Sequence, residues 1–408
     1  EVCRRIRLYQ DMAGMLYPII DDSRMEQRAS EVWASHRIDG SEGPPSTRLR
    51  QVELATLYVM TSIATISERD TTTTQSPDEG MWPSLESLIR TTRVDIEGLI
   101  LLTLVAIYYD YRNQVRVAWH YVDNVTRIIL EVGLNRRIVL ERSCRDPKTQ
   151  ACVVNAIWTA FVLEQQLSSI LGIRAAARDL HIDPDFPQPV EAPYLVAMVQ
   201  YARIGKQACE SLIGDRYTGR VLTTCAQEAV SYFQYRLEQW RKAIDTEFRY
   251  SLAGERAERW NKQLAVILRL LGNNLCVIML HHLVENETSE LSLPCIWQAA
   301  VDAAADTSRL LADMDGSSST CLFQKSRTNR FLVRAMSISI LAVYRGLLAT
   351  SKPSSRNSVT ILFTPETQIK ARETTLVCLQ LLKNRSESSP LSRRLWVRMQ
   401  KLAARLDL

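Results

Sequence analysis

Apolar residues recur at spacings of three and four along nearly the whole chain, the period of a helix that buries one face. Over residues 113–133 the stripe is Val115, Ala118, Trp119, Val122, Val125, Ile129 and Val132. Arg127 and Glu131, four apart on the other side, are expected to form an ion pair there. Over 149–171 it is Val153, Ala156, Ile157, Ala160, Phe161, Leu167 and Leu171. Two more long stripes run through 221–244, with Phe233, Leu237, Trp240 and Ile244, and through 260–282, with Leu264, Leu268, Leu271 and Leu275. Helix starts are marked at Asp146-Pro147, Thr364-Pro365 and Ser389-Pro390, and near Ser292 with Pro294. Each puts a capping oxygen ahead of a proline at or near the first helical position. Strict apolar–polar alternation, the signature of a half-buried strand, is missing. Residues 40–45, 71–80, 184–193 and 351–358 read as loops. The pattern predicts an all-α protein, a large array of antiparallel helices around a continuous core.

Composition supports this and refines the organisation. The chain has 408 residues, 46% hydrophobic, with only 14 Gly and 14 Pro. Few breakers over that length favour long helices. The four prolines between 184 and 193 mark the expected division, into halves spanning 1–183 and 194–408 that pack on each other or form one domain. The longest apolar run, 98–109, is interrupted only by Thr103 and falls short of the roughly 20 residues of a membrane span. No membrane partner is expected. The charged residues 1–7 predict no secretory leader. Nine cysteines with no CxxC spacing sit mostly among apolar residues, which fits a reducing compartment.

Net charge is +5, from 50 basic and 45 acidic residues. Seven basic residues (Lys383, Arg385, Arg393, Arg394, Arg398, Lys401, Arg405) follow residue 382, against Glu387 and Asp407, a local excess equal to that of the whole chain. The favoured reading is a solvated terminal helix with Leu391, Leu395, Met399 and Leu402 turned inward. A phosphate-binding patch is the alternative, and it lacks the aromatic platform or Gly-rich loop that would accompany one.

Candidate chemistry is sparse. His281, His282 and Glu285 form the one tempting metal or acid–base group. Adjacent His on a helix point about 100° apart, so only one can join a given site, and no metal site is expected. Asp21-Asp22 with Glu26 invites comparison with the magnesium motif of helical cyclases, but the second magnesium motif of such enzymes is absent. No nucleophile elbow, P-loop or dinucleotide fingerprint occurs. No catalytic residue and no cofactor are assigned. As pocket residues for a small molecule, the sequence offers Tyr109, Trp119, His281 and His282.

Three ordered stretches resemble the regulatory middle domain of fungal zinc-cluster transcription factors. The first is Leu16-Tyr17-Pro18-Ile19-Ile20-Asp21. The second, 96–136, is an apolar helix, Ala118-Trp119, Arg127, and a close of Glu131-Val132-Gly133-Leu134-Asn135-Arg136. The third runs from Ile157-Trp158 through Leu171-Gly172 to Asp179, Ile182, Asp183 and Pro187. Asn135 stands where the family has His, and Ile173-Arg174 where it has Arg-Pro. The resemblance implies an all-helical regulatory or effector-sensing domain, in the nucleus or otherwise the cytoplasm. Its implied partners are a small-molecule effector, a partner protein or a second copy in a homodimer. DNA would be reached only through a zinc cluster that this sequence does not carry. The alternative is a repurposed biosynthetic enzyme, cyclase- or isomerase-like, or a small-molecule-binding protein on the same fold. Read physically, Trp119 and Trp158 should pack one core, Gly133 should stop a helix, and Asp179 and Asp183 should cap neighbouring helix starts.

Overall fold

The computed structural model describes residues 2–21, 23–30, 51–68, 95–172, 182–213, 223–250, 255–286, 293–316, 325–351, 364–387 and 390–406. Among these residues the structure is all-α, with helices packed antiparallel and no strand. The chain forms two compact units, 1–202 and 203–408.

In the first unit, α1 (Val2–Tyr9) runs into a π-turn at Gln10–Gly14, and α2 (Gln51–Glu68) packs on α1. The helix α3 (Ile96–Tyr111) is capped by Asp95, whose carboxylate accepts from the Gly98 amide at 2.8 Å. Apolar nearly all round, α3 is buried at most positions between α2, α4 (Val115–Val132) and α6 (Pro147–Leu171). Burial on α4 follows the expected stripe at Ala118, Val122, Val125 and Ile129. That helix stops at Gly133, in the left-handed region at φ 76°. There the Leu134 amide donates to the Ile129 carbonyl at 2.9 Å. Arg127 pairs with Asp123 at 2.9 Å rather than with Glu131. An acid one turn before the base is the better orientation on a helix, and Asp123 supplies it.

Short α5 (Arg137–Ser143) has no cap of its own. Asp183, from the proline segment, accepts from the Arg137 amide at 3.3 Å. The Asp183 amide in turn donates to the Asn135 carbonyl at 3.2 Å. Asp183 therefore caps a neighbouring helix start as expected, while Asp179 lies outside the described residues. Asp146 caps α6 as the sequence indicated, accepting from the Thr149 amide at 2.9 Å and hydroxyl at 2.7 Å. At the far end, α6 stops at left-handed Gly172. Trp158 on α6 is buried and Trp119 is half-buried. The proline segment is bonded into the first unit. The Trp158 indole donates to the Pro187 carbonyl at 2.8 Å, and Asn155 binds both backbone groups of Val190. Pro193 then begins α7 (Pro193–Ile213), and the division between the units falls inside this helix.

The second unit continues with α8 (Thr223–Tyr250), α9 (Glu255–Asn286), α10 (Leu293–Gly316), α11 (Lys325–Ser351), α12 (Pro365–Ser386) and α13 (Pro390–Ala404), each packed on the next. Its core holds Trp240, Leu268, Trp297, Met336 and Leu382. Asn261–Leu280 of α9 is long and apolar enough to cross a membrane, but 67% of it is buried in the fold, as a core helix is. Thr364 caps α12 as read from the sequence, accepting from the Thr367 amide at 3.2 Å.

The terminal basic segment departs from expectation in two ways. Arg385 is buried, not solvated, at 3% exposure. Its guanidinium binds Asp315 at 2.8 and 3.0 Å, Thr328 at 3.0 Å and Asn329 at 2.9 Å. On α13, Ser392, Met399 and Ala403 face inward, whereas Leu391 and Leu402 are exposed. Met399 is thus inward as expected, and Ser392 on the same face accepts from Asn329 at 2.7 Å.

Candidate functional site

Of the four residues offered by the sequence, Tyr109 and Trp119 line neither of the two cavities described below. Tyr109 and Trp119 belong to the first unit, His281 and His282 to α9 of the second. Tyr109 stacks on Tyr121 at 5.4 Å and meets Tyr108 edge-on at 5.3 Å. Trp119 donates its indole N–H to Ser168 on α6 at 3.2 Å. The side chains of His281, His282 and Glu285 lie outside the described residues. Among the described residues no three metal-ligating side chains cluster.

A different site is built in the first unit. Residues 19–21, 23–25 and 27, with the starts of α2, α3 and α6, line a half-open cavity of about 480 Å³. Its apolar wall includes Ile19, Met25, Val52, Ile96 and Ile100. The polar wall carries the acids Asp21, Glu53, Glu97 and Asp146 and the bases Arg24 and Lys148. Local folding explains why charge gathers here: these helices begin at the cavity, and first turns favour acidic side chains. Asp21 closes the start of the helical stretch 23–30, accepting from the Arg24 amide at 3.2 Å, with its carbonyl accepting from the Met25 amide at 3.1 Å. Lys148 approaches Asp21 at 3.7 Å. Asp146 is held below the usual carboxylate range, first by its bond from the Thr149 hydroxyl and then by that from the Thr149 amide.

Glu53 is the distinctive group. It is only 8% exposed, and Arg28 and Arg24 approach its carboxylate at 3.6 and 3.9 Å. Of the acids compared with a magnesium motif, two are described. Asp21 is a helix cap, Glu26 pairs with Arg7 at 2.8 Å, and Asp22 lies outside the described residues.

The first of the three stretches that carry the family resemblance lines this cavity at Ile19, Ile20 and Asp21, and the second at Ile96, Glu97 and Ile100. Asn155 on α6, 3% exposed, donates to the Pro18 carbonyl at 2.9 Å and to the Val190 carbonyl at 3.1 Å, and accepts from the Val190 amide at 2.9 Å. The first stretch is thereby fastened to Asn155 and Val190, which flank the third on either side, while Asp183 ties the third to the close of the second. No protein-family model and no curated protein matches the chain. The functional reading therefore rests on the site and on the three interlocked stretches.

In the second unit a cavity of about 370 Å³ lies among α8, α9 and α10. Its polar groups already serve one another. Arg269 grips Asp306 at 2.9 and 3.0 Å, and Asn273 links Asp306 at 2.8 Å to Arg241 at 2.7 Å. It reads as a polar tie between helices.

Sequence reasoning missed the first cavity because its wall comes from four segments far apart in the chain. The available signal was that two capping acids, Asp95 and Asp146, precede the apolar helices whose first turns line the cavity.

Proposed function

We propose that the chain is the effector-sensing regulatory domain of a transcription factor of the fungal zinc-cluster type, with the first-unit cavity as the effector site. The carrying observation is the 480 Å³ cavity lined by the first stretch and the start of the second, with Glu53 buried in its wall. Its size and mixed lining suit a small molecule with an apolar body and a few polar groups. The carboxylates favour binding over proton transfer. Asp21 and Asp146 are engaged as helix caps, and Asp146 holds its charge more firmly than an ordinary carboxylate. A ligand bridging α2, α3 and α6 favours one arrangement of these helices and so shifts a population between inhibited and active states. In this reading the protein works in the nucleus, and the zinc cluster that contacts DNA lies outside this stretch.

The test joins genetics to the site. Deletion of the gene is expected to change transcripts of the genes it controls, and Ile100→Trp, which fills the cavity, to abolish the response at unchanged protein level. Steady transcripts with one accumulating intermediate would overturn the regulatory reading in favour of chemistry on the same fold. A normal response from the Ile100→Trp protein would overturn the site.

A further inference from the structure

With Arg385 buried in the core, the terminal basic excess is carried by α13. Residues 390–406 contain Arg393, Arg394, Arg398, Lys401 and Arg405 and no acidic residue. All five are exposed, and among the described residues none makes an ion pair or side-chain hydrogen bond. Elsewhere exposed arginines do find acids, as Arg127, Arg137 and Arg269 show.

Arg394, Arg398 and Lys401 follow one another at four and three residues, so they form a single row on α13, and Arg405 continues the spacing in the turn just past Ala404. At the helical rise, neighbours stand ~4.5–6 Å apart and the three helical members span ~10 Å. It lies opposite the buried Ser392, Met399 and Ala403. Leu391 and Leu402 border it on one side and Val397 on the other, each about 40% exposed.

This arrangement works against the helix itself. Like charges three or four residues apart repel, and the row holds two such pairs. Arg393 also sits in the first turn, where the helix dipole disfavours cations. No acidic side chain on α13 relieves either effect.

We propose that the outer face of α13 binds the phosphate backbone of duplex DNA, without regard to base sequence. A line of uniform negative charge laid along the row removes the repulsion, and guanidinium forks match phosphate oxygens. A membrane surface fits less well: an interfacial helix presents an apolar crest with cations beside it, and here the order is reversed. An acidic helix fits less well too. Packing crest on crest keeps the axes apart and leaves Leu391 and Leu402 outside the contact. The proposal stands apart from the effector reading, since the row and the cavity belong to different units and share no residue.

The test is a titration of the full chain into a labelled mixed-sequence DNA duplex, read by fluorescence anisotropy across a salt series. Four phosphate contacts predict a slope of log affinity on log salt of about −3.6, or about a hundredfold loss between roughly 50 and 200 mM salt. The combined variant Arg394→Gln, Arg398→Gln, Lys401→Gln, Arg405→Gln should lose binding and most of the slope. Because all four side chains are exposed, its circular dichroism should match that of the parent. A variant of equal net charge, Arg116→Gln, Arg136→Gln, Arg142→Gln, Arg145→Gln, should bind as the parent does. Absence of binding at low salt, or equal weakening by both variants, overturns the proposal. Polyglutamate binding more tightly than the duplex overturns it in favour of an acidic protein surface.

Discussion

Asn155 concentrates more of the fold than any apolar residue near it. It sits in the middle of α6, a position where an amide has modest helix propensity and no apolar surface to bury. Its three bonds to Pro18 and Val190 satisfy backbone groups of two irregular segments that have no helix of their own to satisfy them. Asn155→Ala should therefore cost about 3 kcal/mol in urea denaturation, because several buried backbone groups lose their partner at once. Asn155→Asp should cost more, since it sets a carboxylate against two carbonyl oxygens. A loss under about 1 kcal/mol for Asn155→Ala would mean that the 18–21 and 187–190 segments do not depend on it. Arg385 is the second such residue, and a charged one. Arg385→Met strands Asp315, and the expected loss is about 3–5 kcal/mol. Adding Asp315→Leu should recover most of that, because the penalty lies in the orphaned charge and not in the missing pair. An unrepaired double variant would assign the loss to packing of the arginine stem instead. Neither residue was legible as a hub in the sequence. Asn155 acts on main-chain groups that leave no pattern, and Arg385 looked like one more cation in a basic tract.

At the scale of elements, much was legible because capping and stopping are local. Asp146-Pro147 and Thr364-Pro365 begin helices where the sequence put them, and Gly133 ends α4 in the left-handed conformation expected of it. The failures came where a choice depended on rotation about the helix axis. For α13 the expected inward set was Leu391, Leu395, Met399 and Leu402; Met399 is buried as expected, but Ser392 and Ala403 share its face in place of Leu391 and Leu402, and Ser392 accepts from Asn329 there. Gly133 offers a clean test of an element end. A Cβ placed there would meet only Val139, at 3.8 Å, so there is room for it and the cost of Gly133→Ala is backbone strain alone. That cost should be about 1–2 kcal/mol. Gly172, also left-handed and with nothing within 4 Å of a Cβ, should lose a similar amount on the same change. A neutral result at either position would show that its helix can end by another route. The Asp146 cap adds a pH dependence. Its folded pKa is depressed, so its contribution is present above the ordinary carboxylate range and is lost as pH falls through the folded value. Asp146→Asn should flatten the acid limb of the stability curve, whereas an unchanged limb would remove Asp146 from the account.

At the scale of the molecule, all-α character was legible from period alone, but the site was not, because a cavity belongs to no single stretch of sequence. Tyr109 and Trp119 attracted attention as aromatics on apolar stripes, and the structure uses them to stack on Tyr121 and to bond Ser168. The cysteines follow the same logic with a different outcome. Read as small apolar residues, Cys144, Cys209, Cys276 and Cys378 are indeed all pushed above the ordinary thiol pKa, and in each case burial is the main cause. For Cys378 the value rises from 9.0 to about 12, even though Arg385 pulls the other way. A folded pKa above the unfolded one favours the neutral thiol in the native state. The resulting stability is complete below about pH 9 and is lost as pH climbs towards 12. Two measurements follow from this. At pH 8, alkylation followed by mass spectrometry should leave Cys378 unmodified in the native protein and modify it in urea, since only the thiolate reacts. Cys378→Ala should also make the alkaline limb of the unfolding curve shallower, because it removes a group whose ionisation favours the unfolded chain. Rapid native alkylation of Cys378 would instead show that α12 opens on the timescale of the reaction, and that the Arg385 cluster does not hold the second unit closed.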